Sequence, residues 1–202
     1  CHASSVAALM ETIGSGAVTN VFADVARSAV ALVTGSNATS NHPVAATFIK
    51  DAAKKGTKLI MVDVRRHDLA DFCTHFAQIK PGTDVAFYNG VMHTLIAEGL
   101  VDQDYIAAHT EDFEKLKTLL LADYSPEVAS KICGVPADEI RAIARTIGGK
   151  AEGRGSRVEG KVAQNLSSLD PRPSALPSML VFWGMGISQH ITGTDNARRL
   201  IS

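Results

Sequence analysis

Ser28-Ala29-Val30-Ala31-Leu32-Val33-Thr34-Gly35-Ser36-Asn37-Ala38-Thr39-Ser40-Asn41 joins a short, Val-rich apolar run to a loop of glycine, hydroxyl and amide residues. An apolar run without alternation predicts a strand buried on both faces, the habit of parallel sheets. Pro43 suits a first helical turn, with Asn41 or His42 at the cap. The helix is expected to run through Val44, Phe48, Ile49 and Ala52 and to stop at Gly56. Lys58 to Val62 (KLIMV) is then a second strand, ending at Asp63. Strand, loop, helix and strand in this order form the crossover unit of a parallel sheet, right-handed by the usual rule. The expected fold class is α/β, a Rossmann-like parallel sheet with flanking helices.

Downstream, Arg65-Arg66-His67 leads into a short segment reaching Ile79. Pro81-Gly82-Thr83-Asp84 starts a helix with apolar positions Val85, Phe87, Val91, Leu95 and Ile96, closed by Gly99. Residues 102–148 read as helical hairpins, with starts at Ser125-Pro126-Glu127 and Pro136-Ala137-Asp138-Glu139 and stops at Gly134 and Gly148-Gly149. Leu116, Leu119 and Leu120, and Ile140, Ile143 and Ile147, are the expected core stripes. Residues 149–178 are rich in Gly, Ser, Pro and basic side chains without either period, which predicts a flexible insert. An apolar run, Met179-Leu180-Val181-Phe182-Trp183, then resumes strand character and opens into Gly184-Met185-Gly186-Ile187-Ser188-Gln189-His190. The expected organisation is an α/β region over 1–148, the insert over 149–178, and a continuation of the α/β region over 179–202.

With 202 residues, 46% hydrophobic and 20% charged, the chain can bury one sizeable core. A formal net charge of -1 gives no pull toward nucleic acid or an anionic membrane. No run approaches the length of a membrane-spanning helix, and no secretory signal is read. The three cysteines, Cys1, Cys73 and Cys133, lack Cys-x-x-Cys spacing, which argues against a disulfide framework or a self-contained zinc or iron–sulfur site. A reducing, cytoplasmic setting is expected, with a periplasmic parent as the alternative. Both ends look cut, so the chain reads as a piece of a longer protein.

The loop Gly35 to Asn41 lies where a parallel sheet binds phosphate, after a strand and before a helix. It is neither Gly-x-Gly-x-x-Gly nor a P-loop, which disfavours NAD or ATP held in the usual way. Asp63 stands where an acidic residue accepts from a ribose hydroxyl, and Arg65-Arg66 can hold a diphosphate or form a solvated pair. Lys80 to Asp84 reads either as a tight turn with a helix cap or as a turn presenting Asp84 to the N–H edge of a guanine. After the last strand, two glycines let backbone approach a ligand, Met185 can pack a flat ring, and Gln189 can read polar edges. Cys1-His2 supports three readings: a terminus without a role, an N-terminal nucleophile, or a thiolate metal ligand beside a proton-moving histidine. His67, His75, His93 and His109 have no paired ligand spacing and read as structural or surface residues.

Cys1-His2 followed by Ser5-Val6-Ala7 and Gly14-Ser15-Gly16-Ala17-Val18-Thr19-Asn20, with Gly-Met-Gly-x-x-Gln-His downstream, resembles the catalytic subunit of molybdopterin-dependent formate dehydrogenases. These enzymes belong to the dimethyl-sulfoxide-reductase superfamily. The resemblance covers the chain except 149–178. It implies that Cys1 is a molybdenum ligand and that His2 is the adjacent catalytic histidine. It implies that Asn37, Ser40, Asn41, Asp63, Arg65, Gly82, Thr83, Asp84, Met185 and Gln189 contact a molybdenum bis(molybdopterin guanine dinucleotide). Formate and carbon dioxide would be substrate and product, with electrons leaving through 4Fe-4S clusters to iron–sulfur and flavin- or NAD-linked subunits. The cluster ligands and the formate-binding arginine would lie outside this chain. The rival readings are another molybdenum oxidoreductase such as a nitrate reductase, an N-terminal-nucleophile amidohydrolase, and a non-catalytic nucleotide-binding module.

Overall fold

The structure, a computed structural model, describes residues 2–18, 20–149 and 179–201. In chain order its elements are α1 (Ala3–Ile13), β1 (Val30–Thr34), α2 (Ala38–Asn41), α3 (Pro43–Lys55), β2 (Lys58–Asp63) and β3 (His75–Gln78). Then come α4 (Asp84–Ala97), α5 (Gln103–His109), α6 (Phe113–Asp123), α7 (Pro126–Cys133), α8 (Ala137–Ile147), β4 (Met179–Trp183), α9 (Met185–Ser188) and α10 (Gly193–Ile201). The expectation for residues 150–178 concerns a segment outside the described residues.

The strands form one parallel sheet in the order β3-β2-β1-β4. Val30 pairs with Lys58 on one side and with Met179 on the other, so the final strand lies beside the first. Strand side chains alternate between faces. Val30, Leu32, Ile60, Val62, Val181 and Trp183 face the core built with α4, α7 and α8. Ala31, Val33, Leu59, Met61, Leu180 and Phe182 face α3 and two 3-10 turns, Phe22–Arg27 and Asp68–Phe72. Both faces are covered, which is why the strands read as unbroken apolar runs.

The helix from Pro43 ends at Lys55 with Gly56 as its C-cap, as expected. Val44 is 72% exposed and Phe48 42% exposed, while Ala45, Ala46, Ile49 and Ala52 are buried. Ile49 and Ala52 join the core on this side of the sheet, while Val44 and Phe48 point outward. Its cap residue is His42, without a side-chain capping bond, because Asn41 already belongs to the one-turn α2. In α6 only Leu120 is buried; Leu119 and Leu121 point outward. Finally, the segment before Ile79 contains a strand, β3, of only four residues flanked by polar His75 and Gln78. His75 is a structural residue: its Nδ1 lies 2.8 Å from Glu139 Oε1 and its Nε2 3.0 Å from Thr146 Oγ1.

The two ends of the described chain meet. α1 packs along α10, Glu11 pairs with Arg198, and the Trp183 indole N–H donates to Ser5 Oγ at 2.9 Å.

Candidate functional site

Strand order reverses between β1 and β4, so the loops leaving their C-terminal ends diverge, and ligands of open α/β sheets bind at such a point. Here the two loops are locked together first. Gly184 N–H donates to Thr34 O at 3.2 Å, and Gly186 N–H to Gly35 O at 3.0 Å. Gly35 has φ +54, and a Cβ on it would lie 2.7 Å from Ile187 N. A Cβ on Gly186 would lie 2.6 Å from Gly35 O. The glycines read as permitting backbone approach to a ligand are therefore used by the loops to approach each other.

The other predicted residues gather at the same end of the sheet. Gly35 N–H donates to Val62 O at 3.1 Å, which sets the 35–41 loop beside Asp63. Asn37 Oδ1 accepts from Thr39 Oγ1 at 2.8 Å, and Ser40 and Asn41 are exposed on α2. Asp63 Oδ1 accepts from the Arg65 backbone N–H at 3.2 Å. Arg65 itself extends into solvent, whereas Arg66 is engaged: it pairs with Asp71 at 2.6 Å and covers the Phe76 ring at 5.6 Å. Of the arginine pair, Arg65 alone remains as an anion contact.

After β3, Gly82 (φ +76) turns the chain at the exposed rim, and Thr83 Oγ1 donates to Lys80 O at 2.6 Å rather than capping the next helix. Asp84, the first residue of α4, is only 5% exposed. Burial raises its carboxyl above the usual carboxylate range; His190 counteracts this, and the Asp63 charge adds to it. Beneath it, the buried Tyr88 hydroxyl donates to Thr34 Oγ1 at 2.6 Å, and burial pushes its phenol far up. Met185 and Gln189 sit on the exposed side of the α9 turn, touching none of these residues through a side-chain hydrogen bond.

Sequence reasoning passed over three contributors. Tyr88 gives no signal beyond its place on an apolar helix. His190 closes the quoted Gly-Met-Gly heptapeptide and places a basic ring near Asp84. His67, read as structural or surface, is buried with neither ring nitrogen partnered, Nε2 lying 3.8 Å from Asp63 Oδ2. Its position directly after the arginine pair was the available clue.

His2 is exposed at the N-terminus of α1. Cys1 lies outside the described residues. Burial pushes the Cys73 thiol up to about 12 and also raises that of Cys133, so neither supplies a thiolate near neutral pH.

A parallel sheet with an acidic residue, a free arginine and a hydroxyl- and amide-rich loop at its switch point defines an α/β ligand-binding class. Asp63 offers a carboxylate acceptor there, and both buried nitrogens of the His67 ring have no hydrogen-bond partner among the described residues. Within that class, the chain belongs to the molybdopterin oxidoreductase family, whose model matches residues 1–202. It is 33% identical over 197 residues to the F420-dependent formate dehydrogenase 1 subunit alpha of Methanococcus maripaludis, covering 98% of this chain and 25% of that protein. It is 32% identical over 204 residues to a nitrate reductase of Symbiobacterium thermophilum, covering 96% of this chain and 24% of that protein. Among solved structures, acetylene hydratase from Pelobacter acetylenicus shares the fold, with TM-score 0.71, 22% identity and coverage of 98% of this chain and 23% of that chain. The chain thus spans about a quarter of the relatives it matches. No helix among the described residues is long and apolar enough to cross a membrane.

Proposed function

We propose that this chain is the cofactor-cradling part of a formate dehydrogenase catalytic subunit, with residues 1–148 and 179–202 forming one α/β unit interrupted by 149–178. The parent would oxidise formate to carbon dioxide and pass two electrons through 4Fe-4S clusters to an electron-transfer subunit. The observation that carries the reading is His2, which follows Cys1 in the sequence, at the head of a helix tied through Ser5 and Trp183 to the crevice end of β4.

The cofactor, a molybdenum bis(molybdopterin guanine dinucleotide), supplies the two-electron redox chemistry when bound. The chain's own residues have separate tasks. Cys1 offers a soft thiolate for the metal, and His2, an exposed imidazole, takes the proton released from formate. Asn37, Ser40 and Asn41 offer hydrogen bonds to phosphate and sugar groups, and Arg65 offers a charge-assisted one. Asp63 accepts from ribose hydroxyls, and Asp84, at the Gly82–Thr83 turn, accepts from a guanine edge. Met185 and Gln189 cover the ring system from the β4 side.

The test is Cys1→Ser in the full-length parent. Formate oxidation should be lost while the dinucleotide, measured by mass spectrometry after extraction, is retained, because a hydroxyl poorly replaces a soft thiolate. Wild-type turnover in that variant refutes the ligand assignment. The nitrate reductase relative at 32% identity favours a second reading, nitrate reduction, and the same purified parent assayed with formate and with nitrate decides between them.

A further inference from the structure

Several polar atoms at the end of β2 and just after it are held by hydrogen bonds. Asp63 O accepts from Ile79 N–H at 3.1 Å, and Val64 O accepts from Gln78 Nε2 at 3.1 Å. Asp63 Oδ1 accepts from Arg65 N–H at 3.2 Å, and His67 O accepts from Ala70 N–H at 2.9 Å. Two largely buried side chains here carry polar atoms without a hydrogen bond among the described residues: Asp63, at Oδ2, and His67, at both ring nitrogens. The side chains are 12% and 9% exposed, and both ring nitrogens are buried without a hydrogen bond. Buried polar atoms are rarely left in this condition unless a ligand or water completes them. The Nε2 to Oδ2 separation of 3.8 Å is too long for a hydrogen bond and short enough for a small side-chain rotation to close.

We propose that His67 is the positioning residue for Asp63: its Nε2–H donates to Asp63 Oδ2 when a nucleotide ribose enters the crevice, fixing the carboxylate as acceptor for the vicinal hydroxyls. The chemistry selects the ligand group. A carboxylate repels phosphate and accepts from hydroxyls, and with Oδ1 held by Arg65 N–H and Oδ2 by His67, each oxygen keeps a lone pair to accept from one hydroxyl of a diol. A neutral imidazole has one donor and one acceptor nitrogen, so Nδ1 stays available to a second hydroxyl or a water. His67 touches Asp63, not the reacting atoms, and so acts through it. This assignment rests on the dinucleotide-crevice reading above.

The experiment titrates GDP and 2′-deoxy-GDP into cofactor-free full-length protein by calorimetry. Wild type should prefer GDP by about tenfold, the effect of one hydrogen bond to a charged acceptor. Asp63→Asn should abolish that preference, His67→Phe should reduce it to about twofold or less, and His67→Gln, which keeps a donor, should restore most of it. A full preference in folded His67→Phe overturns the proposal while leaving the crevice reading intact. No preference in wild type, or an Asp63→Asn variant that keeps it, overturns both. A reading independent of any variant comes from C2 hydrogen–deuterium exchange of the histidines in wild type. GDP should slow His67 and leave His109 unchanged, and equal His67 rates with and without GDP overturn the proposal even where His67→Phe does not fold.

Discussion

Replacing Gly35 by alanine tests the interlock between the first and last strand loops, and the cost follows from two separate terms. The backbone there is left-handed, φ +54, where a Cβ-bearing residue loses about 1–2 kcal/mol against glycine. The new Cβ would also lie 2.7 Å from Ile187 N and 2.8 Å from Gly186 C, backbone atoms that cannot swing aside as a flexible side chain would. Overpacking of this kind adds about 1–3 kcal/mol, for a total of about 2–5 kcal/mol. Gly82→Ala is the internal control, because Gly82 has φ +76 and open space within 4 Å of the added Cβ. It should lose only the backbone term, about 1–2 kcal/mol. Urea unfolding of both variants, followed through Trp183, the only tryptophan of the chain and itself on β4, measures the difference. A gap of about 1–3 kcal/mol at constant m-value is expected. Equal losses within about 0.5 kcal/mol would show that the two loops are not in contact at Gly35, and the crevice geometry would fall with them.

Tyr88→Phe removes the 2.6 Å bond to Thr34 Oγ1 and leaves a buried hydroxyl unmatched, so unfolding free energy should drop by about 1–3 kcal/mol, and adding Thr34→Val should recover part of it in a double-mutant cycle. Asp84 is raised above its ordinary value by burial, so its protonated form favours folding: that contribution is complete at pH below the ordinary carboxylate range and is lost as pH rises through the raised value. Asp84→Asn should therefore gain stability relative to wild type between acid and neutral pH, and a pH-independent difference in unfolding midpoints would contradict the buried-carboxyl assignment. Ser5→Ala breaks the bond from Trp183 Nε1 and should red-shift Trp183 emission while lowering stability by about 1 kcal/mol. Arg65→Ala, losing a desolvated phosphate contact of about 2–5 kcal/mol, should leave the purified full-length parent largely free of dinucleotide, as judged by extracted guanine nucleotide.

The layered α/β arrangement was readable because β1 and β2 are buried on both faces and β1, β2 and β4 are apolar runs ending at a glycine or an acidic residue. β3 was not readable: only Phe76 and Ala77 are apolar between His75 and Gln78, too short a run to signal a strand, and pairing with β2 overrides their weak propensity. The stripe in α6 was misread: Leu116, Leu119 and Leu120 have helical spacing, yet only Leu120 is buried. At the site, position was legible and partnership was not. Strand ends and helix starts located Asp63, Asp84 and the 35–41 loop. That the Gly184 and Gly186 backbones serve the opposing loop depends on a partner about 150 residues away, while the Arg66–Asp71 pair and the place of His67 beside Asp63 are local contacts set by how the chain turns after β2.

Pairing of β1 with β4 brings a temporal consequence for synthesis. Val30 emerges from the ribosome about 150 residues ahead of its partner Met179, so at about 5–20 residues per second one flank of β1 waits about 7–30 s for its neighbour. During that interval Val30 to Thr34 presents unsatisfied amides and carbonyls on a largely apolar segment, the kind of edge that templates association with other chains. The nascent protein therefore has a window in which a chaperone, or a segment upstream or downstream of this chain, must shield that flank. Conditions that slow elongation between Thr34 and Met179 should lower soluble yield more than equal slowing elsewhere.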